Sequence, residues 1–188
     1  MSSKLYFITG NQGKWKEVCS ILGDVERIEM DLPEIQAIDS CEVVRAKLQE
    51  ACAHAPGRYM IDDTSLSFDC MNGLPGPLIK WFLDALGVDG LYTLAEHMGN
   101  RHASAKTIIG YANGSQDIHF FEGAVNGMIV PPRGTAGYGW DTIFEVDGTG
   151  KTFAEMTHDE KNAISMRRVA LNKLRAYLDS NHISFVAP

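Results

Sequence analysis

Lys4-Leu-Tyr-Phe-Ile-Thr-Gly-Asn-Gln-Gly-Lys14 is the stretch that decides the fold. Its apolar, aromatic and β-branched opening predicts a strand. Thr9-Gly10-Asn11 stops that strand, Gly13 follows, and Trp15, Val18, Cys19 and Leu22 then recur at helical spacing. Strand, glycine-bearing turn and helix set backbone N–H groups and a helix N-terminus against an anion. Lys14 sits at the helix start, where a cation opposes the macrodipole unless a negative ligand shares the place. Residues 9–14 are therefore a candidate phosphate site. The competing reading is an ordinary β-to-α turn that uses glycine for its left-handed backbone. The glycine spacings of the nucleotide P-loop and of the dinucleotide fingerprint are both missing.

Outward from this stretch the chain reads as α/β. Val25–Met30 is a strand candidate. Asp39 followed by Glu42 predicts a reciprocally capped helix to about Ala53. Arg58–Asp62 reads as a third strand ending at Asp62-Asp63, with a further short strand at Leu66–Phe68. Asn72-Gly-Leu-Pro-Gly-Pro77 is a loop, Pro77 opens a helix that ends at Gly87, and a second helix covers about Asp89–Met98. Ala103–Ala112 and Ile118–Val130 predict an antiparallel hairpin. Ile143–Val146 is a short strand candidate, and one last long helix is expected from about Thr157 to Ser180.

The totals narrow the function. The 188 residues carry 17 Lys plus Arg against 24 Asp plus Glu, a formal charge of −7. That balance argues against a bulk nucleic-acid binder, which carries a basic stripe, yet leaves room for a local basic site. Cys19, Cys41, Cys52 and Cys70 form no Cys-x-x-Cys pair and have no zinc-type partners at ligand spacing. They suit a reducing compartment. With no signal peptide and no membrane-length apolar run, the chain reads as soluble and cytoplasmic, with no membrane partner.

Carboxylates supply the metal candidates. Glu34, Glu42 and one of Asp62 or Asp63 are oxygen ligands of the kind magnesium prefers. Glu42 can equally complete a helix cap, and an aspartate after a strand can be a turn residue. If the strand persists through both aspartates, they face opposite ways. Lys14, Lys47, Lys80, Lys161 and Arg167 are scattered cations, each readable as a solvated face. Tyr138 and Trp140, flanked by glycine, read as poor core formers and as a base-stacking platform. The histidines lack ligand spacing, and Ser65 has no nucleophile-elbow frame.

Several segments together match one family. Thr9-Gly-Asn-Gln-Gly-Lys14, Asp31-Leu-Pro-Glu34, Lys47 before Gln49-Glu50-Ala51, Asp62-Asp63-Thr64, Gly73–Phe82, Tyr138-Gly-Trp-Asp141, Ala154-Glu-Met156 and Glu160–Ser165 occur in the family's order and span nearly the whole chain. The sequence resembles the inosine triphosphate pyrophosphatases, the Ham1-like nucleoside-triphosphate pyrophosphatases. The resemblance implies one domain over residues 1–188, an elongated two-lobed α/β fold with a mixed central sheet, and a cleft between the lobes. It implies a homodimer and a magnesium requirement, with manganese as a substitute. The implied reaction converts non-standard purine triphosphates (ITP, dITP, XTP) to the monophosphate and pyrophosphate.

By motif, the resemblance gives Thr9, Gly10, Asn11, Gln12, Gly13 and Lys14 to the phosphates, with Lys47. It gives Glu34 and Asp63 to the metal and the catalytic acidic positions, beside Lys14. Thr64 and Lys80 match substrate contacts. Tyr138, Gly139, Trp140, Asp141, Lys161, Met166 and Arg167 match the nucleobase side. One departure stands out: the family's Ser-His-Arg is Ser165-Met166-Arg167 here. Methionine lacks the imidazole's hydrogen-bonding capacity, so altered discrimination between ITP and XTP is expected. The alternatives are a non-catalytic nucleotide-binding module and a pyrophosphatase for pyrimidine or modified-base triphosphates.

Overall fold

The computed structural model describes residues 4–183. In chain order the elements are β1 (Leu5–Ile8), α1 (Gln12–Leu22), β2 (Val25–Ile28), α2 (Ser40–His54), β3 (Arg58–Phe68), β4 (Pro75–Gly76), α3 (Ile79–His97), β5 (His102–Asn113), β6 (Ile118–Ile129), β7 (Phe144–Val146), α4 (His158–Ile164) and α5 (Met166–Ser180). The mixed sheet among these residues has the order β2-β1-β3-β5-β6-β7, with β4 paired to β3. β1 runs parallel to β2 and β3, whereas β4 on β3 and β7 on β6 are antiparallel.

The chain divides into two compact units. The first takes the residues up to Asp63, then Thr107–Gly123, then Arg167 onward; the second takes Thr64–Lys106 and Ala124–Met166.

Alternation along the strands builds two cores in the first unit. Leu5, Phe7 and Met60 face one way and pack with Val18 and Ile21 of α1 and Leu171 and Leu174 of α5. Ile8, Tyr59 and Ile61 face the other way, against Val44, Leu48 and Ala51 of α2. A Cβ on Gly110 would lie 2.4 Å from Val44 Cγ1 and 2.6 Å from Leu48 Cδ1, so α2 sits directly on bare backbone of β5. The second unit packs Leu66, Phe68, Ile79, Leu91, Phe144 and Phe153 into a single core.

Four expectations need correction. β3 is one strand of 11 residues through both aspartates, not two short ones. Pro75–Gly76, expected as loop, pairs with β3 across Leu66 and Ser67. The last helix is broken: Ser165, with extended backbone (φ −64°, ψ 147°), caps α4 and separates it from α5. At α2 the Asp39 side chain accepts from the Cys41 N–H as an N-cap, and Glu42 simply occupies the first turn. The predicted stop at Gly87 does appear, as a non-helical residue (φ 65°, ψ 179°) inside α3. Among the described residues no helix is long and apolar enough to cross a membrane.

Candidate active site

The β1–α1 turn is held by its own side chains. Thr9 Oγ1 accepts from the Asn11 N–H at 3.1 Å, and Asn11 Oδ1 caps α1 by accepting from the Lys14 N–H at 3.1 Å. A Cβ on Gly13 would stand 3.2 Å from Asn11 Oδ1, so glycine there keeps the cap unstrained. The Thr9 N–H is taken by Ile28 O at 3.1 Å. The remaining backbone donors of the turn are Gly10, Gln12 and Gly13, a thinner cradle than six consecutive N–H groups.

A pocket of about 600 Å³ opens beside this turn, lined by Thr9, Gly10, Lys14, Lys47, Asp62 and Asp63. Glu29, Asp31 and Glu34 contribute to the same wall. All of these residues belong to the first unit. The chemistry is placed there by strand ends and helix starts: β1 delivers the turn, β3 the two aspartates, and α2 Lys47.

Because β3 continues through Asp62 and Asp63, their carboxylates diverge. Asp62 shares the face of Met60, toward α1 and α5. Its Oδ1 lies 3.1 Å from Lys14 Nζ and its Oδ2 3.0 Å from Arg167 Nε. Arg167 in turn places Nη1 2.7 Å from Glu17 Oε2, and the side chains of Asp62, Arg167 and Glu17 are all buried. Lys14 and Glu17 leave the same helix one turn apart, so the four alternating charges close a ring. Burial acts to raise the Asp62 carboxyl, but the charges of Lys14 and Arg167 outweigh it and hold the group below its ordinary value.

Asp63 shares the face of Ile61, toward α2. Burial pushes its carboxyl up; Lys47 opposes that, the Asp62 charge reinforces it, and a Ser40 hydrogen bond again opposes it. Asp63 Oδ2 is buried without a hydrogen-bond partner among the described residues. Lys47 Nζ is 2.9 Å from Glu34 Oε1. Among the described residues no three His, Cys, Asp or Glu side chains are grouped as a metal cage. Magnesium does not require one: it takes one or two carboxylates, keeps waters, and shares substrate phosphates. An orphaned buried carboxylate oxygen on Asp63, with Glu34 on the same pocket wall, fits that demand.

The residues matched to the nucleobase side divide. Tyr138, Gly139, Trp140, Asp141, Lys161 and Met166 lie in the second unit, and Arg167 begins the last segment of the first. In the second unit Asp141 Oδ2 accepts from the Tyr138 N–H at 2.9 Å and from Lys161 Nζ at 2.6 Å. Lys161 Nζ also stands 5.3 Å from the Tyr138 ring centroid and 5.0 Å from that of Phe153. Gly137 (φ 80°) is required for this fold-back, since its Cβ would fall 2.2 Å from Asp141 Oδ2. Tyr138 is 53% exposed and available for stacking.

Trp140 corrects the expectation of a poor core former. It is 7% exposed and packs against Phe144 and Phe153, with ring centroids at 5.6 and 6.3 Å. Met166 is likewise buried in that core. Lys80 is exposed on α3 and lies 5.6 Å from the Trp81 ring, and Thr64 is half-buried on β3.

Sequence reasoning missed Glu17 and gave Asp62 no partners. The signal available was a glutamate one turn after Lys14 on the helix face that also carries Val18 and Ile21.

Fold and pocket together define an α/β protein with a lysine-and-aspartate site at the β1–α1 turn, suited to a polyanion with a divalent cation. The chain belongs to the Ham1 family, whose model matches residues 5–177. It is 43% identical over 180 residues to the inosine triphosphate pyrophosphatase of Schizosaccharomyces pombe, covering 94% of this chain and 95% of that one. It is 42% identical over 185 residues to the protein of the same name from Puccinia graminis f. sp. tritici, covering 93% and 96%. Among solved structures, the Ham1 protein of Staphylococcus aureus superposes with a TM-score of 0.84 at 26% identity, covering 95% and 99%.

Proposed function

We propose that this protein is a nucleoside-triphosphate pyrophosphatase that hydrolyses non-standard purine nucleotides, ITP, dITP and XTP, to the monophosphate and pyrophosphate, cleansing the nucleotide pool. The observation that carries this reading is the convergence of Lys14, Lys47, Asp62 and Asp63 on one pocket beside a capped helix start. The curated relatives' name, inosine triphosphate pyrophosphatase, supports it.

Cleavage between the α and β phosphates requires a water aimed at the α-phosphorus and neutralisation of the departing pyrophosphate. Lys14 and Lys47 place positive charge where that negative charge grows. Asp63 orients the attacking water. Glu34 and Asp63 would hold a magnesium ion, which would supply polarisation of the phosphate oxygens. At the base, Tyr138 stacks; Arg167, matched to the same side as a donor, is held by Asp62 and Glu17, and Lys161 and Asp141 present a donor and an acceptor. A donor aimed at a 6-oxo group is left unpaired by adenine's amino group, which disfavours ATP. We take residues 1–188 as one functional domain, working as a cytoplasmic homodimer.

The test is a panel of nucleoside triphosphates with magnesium, detecting phosphate and pyrophosphate separately. Pyrophosphate from ITP and XTP well above ATP is expected, with kcat/KM falling by about 10²-fold or more in Asp63→Asn. Tight ITP binding without turnover would establish a non-catalytic module instead.

A further inference from the structure

Arg133 lies outside every motif matched above, yet all its polar attachments bracket the 138–141 turn. Its N–H donates to Thr142 O at 2.9 Å, and its C=O accepts from the buried Thr152 hydroxyl at 3.0 Å. Its guanidinium hydrogen-bonds Glu145 on β7 through Nη2. Nε stands 3.4 Å from Glu155 Oε2, too poorly aligned for a hydrogen bond and so an ion pair. That Glu155 oxygen also accepts from the Thr152 N–H at 2.8 Å. The next residue, Gly134, passes so close to Ala154 that a Cβ would meet its carbonyl carbon and oxygen at 2.5 Å. Two residues on, the Ala136 N–H donates to Ala154 O at 3.2 Å, and the Ala154 N–H donates to Asp141 O at 3.1 Å.

We infer that Arg133 is a positioning residue for base selection: it ties the 133–136 segment to β7 and to 152–155, and so fixes where Asp141 holds Tyr138 and Lys161. The inference rests on the proposed base-reading role of those three residues. Arg133 is not among the residues lining the pocket beside Lys14, and its guanidinium is already shared between two carboxylates, so it acts through the turn. A binding geometry supported by a second layer of contacts loosens when that layer is removed, and small displacements are costly at such sites.

The test compares kcat and KM for ITP and ATP, with magnesium, in the wild type, Arg133→Met, Arg133→Lys and the double variant Glu145→Gln/Glu155→Gln, alongside thermal unfolding. In Arg133→Met, KM for ITP is expected to rise about fivefold, the scale of two partly exposed ion pairs. kcat should stay within about twofold, the ITP-over-ATP preference should fall with KM, and lysine should recover part of the loss. The double variant, which removes the partners instead, is expected to reproduce the KM effect even where Arg133→Met fails to fold. Unchanged KM and unchanged preference in either variant, whatever the unfolding temperature, overturns the inference. A wild type with no ITP preference, or a Tyr138→Ala variant with unaltered KM, overturns the base assignment itself and this inference with it.

Discussion

Asp62 and Asp63 are neighbours on one strand, and their carboxyls shift in opposite directions. The cause is the pleat: one meets two cations from α1 and α5, the other a helix-buried wall with Lys47. Their divergence was legible as a conditional in the sequence, because side chains alternate along any strand. Which partners each would meet was not, since Arg167 is 105 residues from Asp62 and 150 from Glu17. The ring also makes Arg167 the residue whose loss leaves the most uncompensated charge. Arg167→Met is expected to cost about 3–5 kcal/mol, because two buried carboxylates lose a shared partner. Urea unfolding at neutral pH, followed by circular dichroism, reads that loss directly, and a change under about 1 kcal/mol would mean the ring is solvated. Trp140 shows the opposite failure of local reading. Flanked by glycine it looked exposed, but Phe144 and Phe153 supply aromatic neighbours that only the folded chain brings near.

At the level of elements, the β1–turn–α1 unit and the β5–β6 hairpin follow from periodicity and turn residues alone. The break between α4 and α5 does not. Ile164, Leu171, Leu174 and Leu178 keep helical spacing across it, and Ser165 is neither proline nor glycine. The reciprocal capping box of Thr157 and Glu160 marks the start of α4, not its end. The Lys151 hydrogen bond, then the Thr157 backbone and side chain, hold the Glu160 carboxyl at about 2. A folded value depressed below the ordinary 4.5 means that Glu160 contributes stability above that pH and loses it as pH falls toward 2. The stability difference between wild type and Glu160→Gln is therefore expected to shrink steadily over that window. Parallel unfolding curves at several pH values check it, and a difference that is flat with pH would sever the cap from the titration.

The whole chain is partitioned unevenly along its length. The first unit is assembled from three separated segments, and the second from two stretches that interrupt it. The resemblance implied two lobes, but composition gave no hint of where they divide, because β3, β5 and β6 each carry residues of both units. The consequence concerns synthesis. A ribosome delivers the last residue of the second unit, Met166, before the arginine that closes the ring around Lys14. The charge ring beside the polyanion site is thus completed only after every residue of the second unit has been made, although its turn is the first element made. Released chains truncated after Ser165 are expected to protect residues 64–106 and 124–165 from protease while leaving α1 open to cleavage. Chains extended through α5 should protect both. Equal protection of α1 in the shorter chains would show that the N-terminal segment is stable without its C-terminal arginine, and would make the newborn enzyme competent earlier than the ring implies.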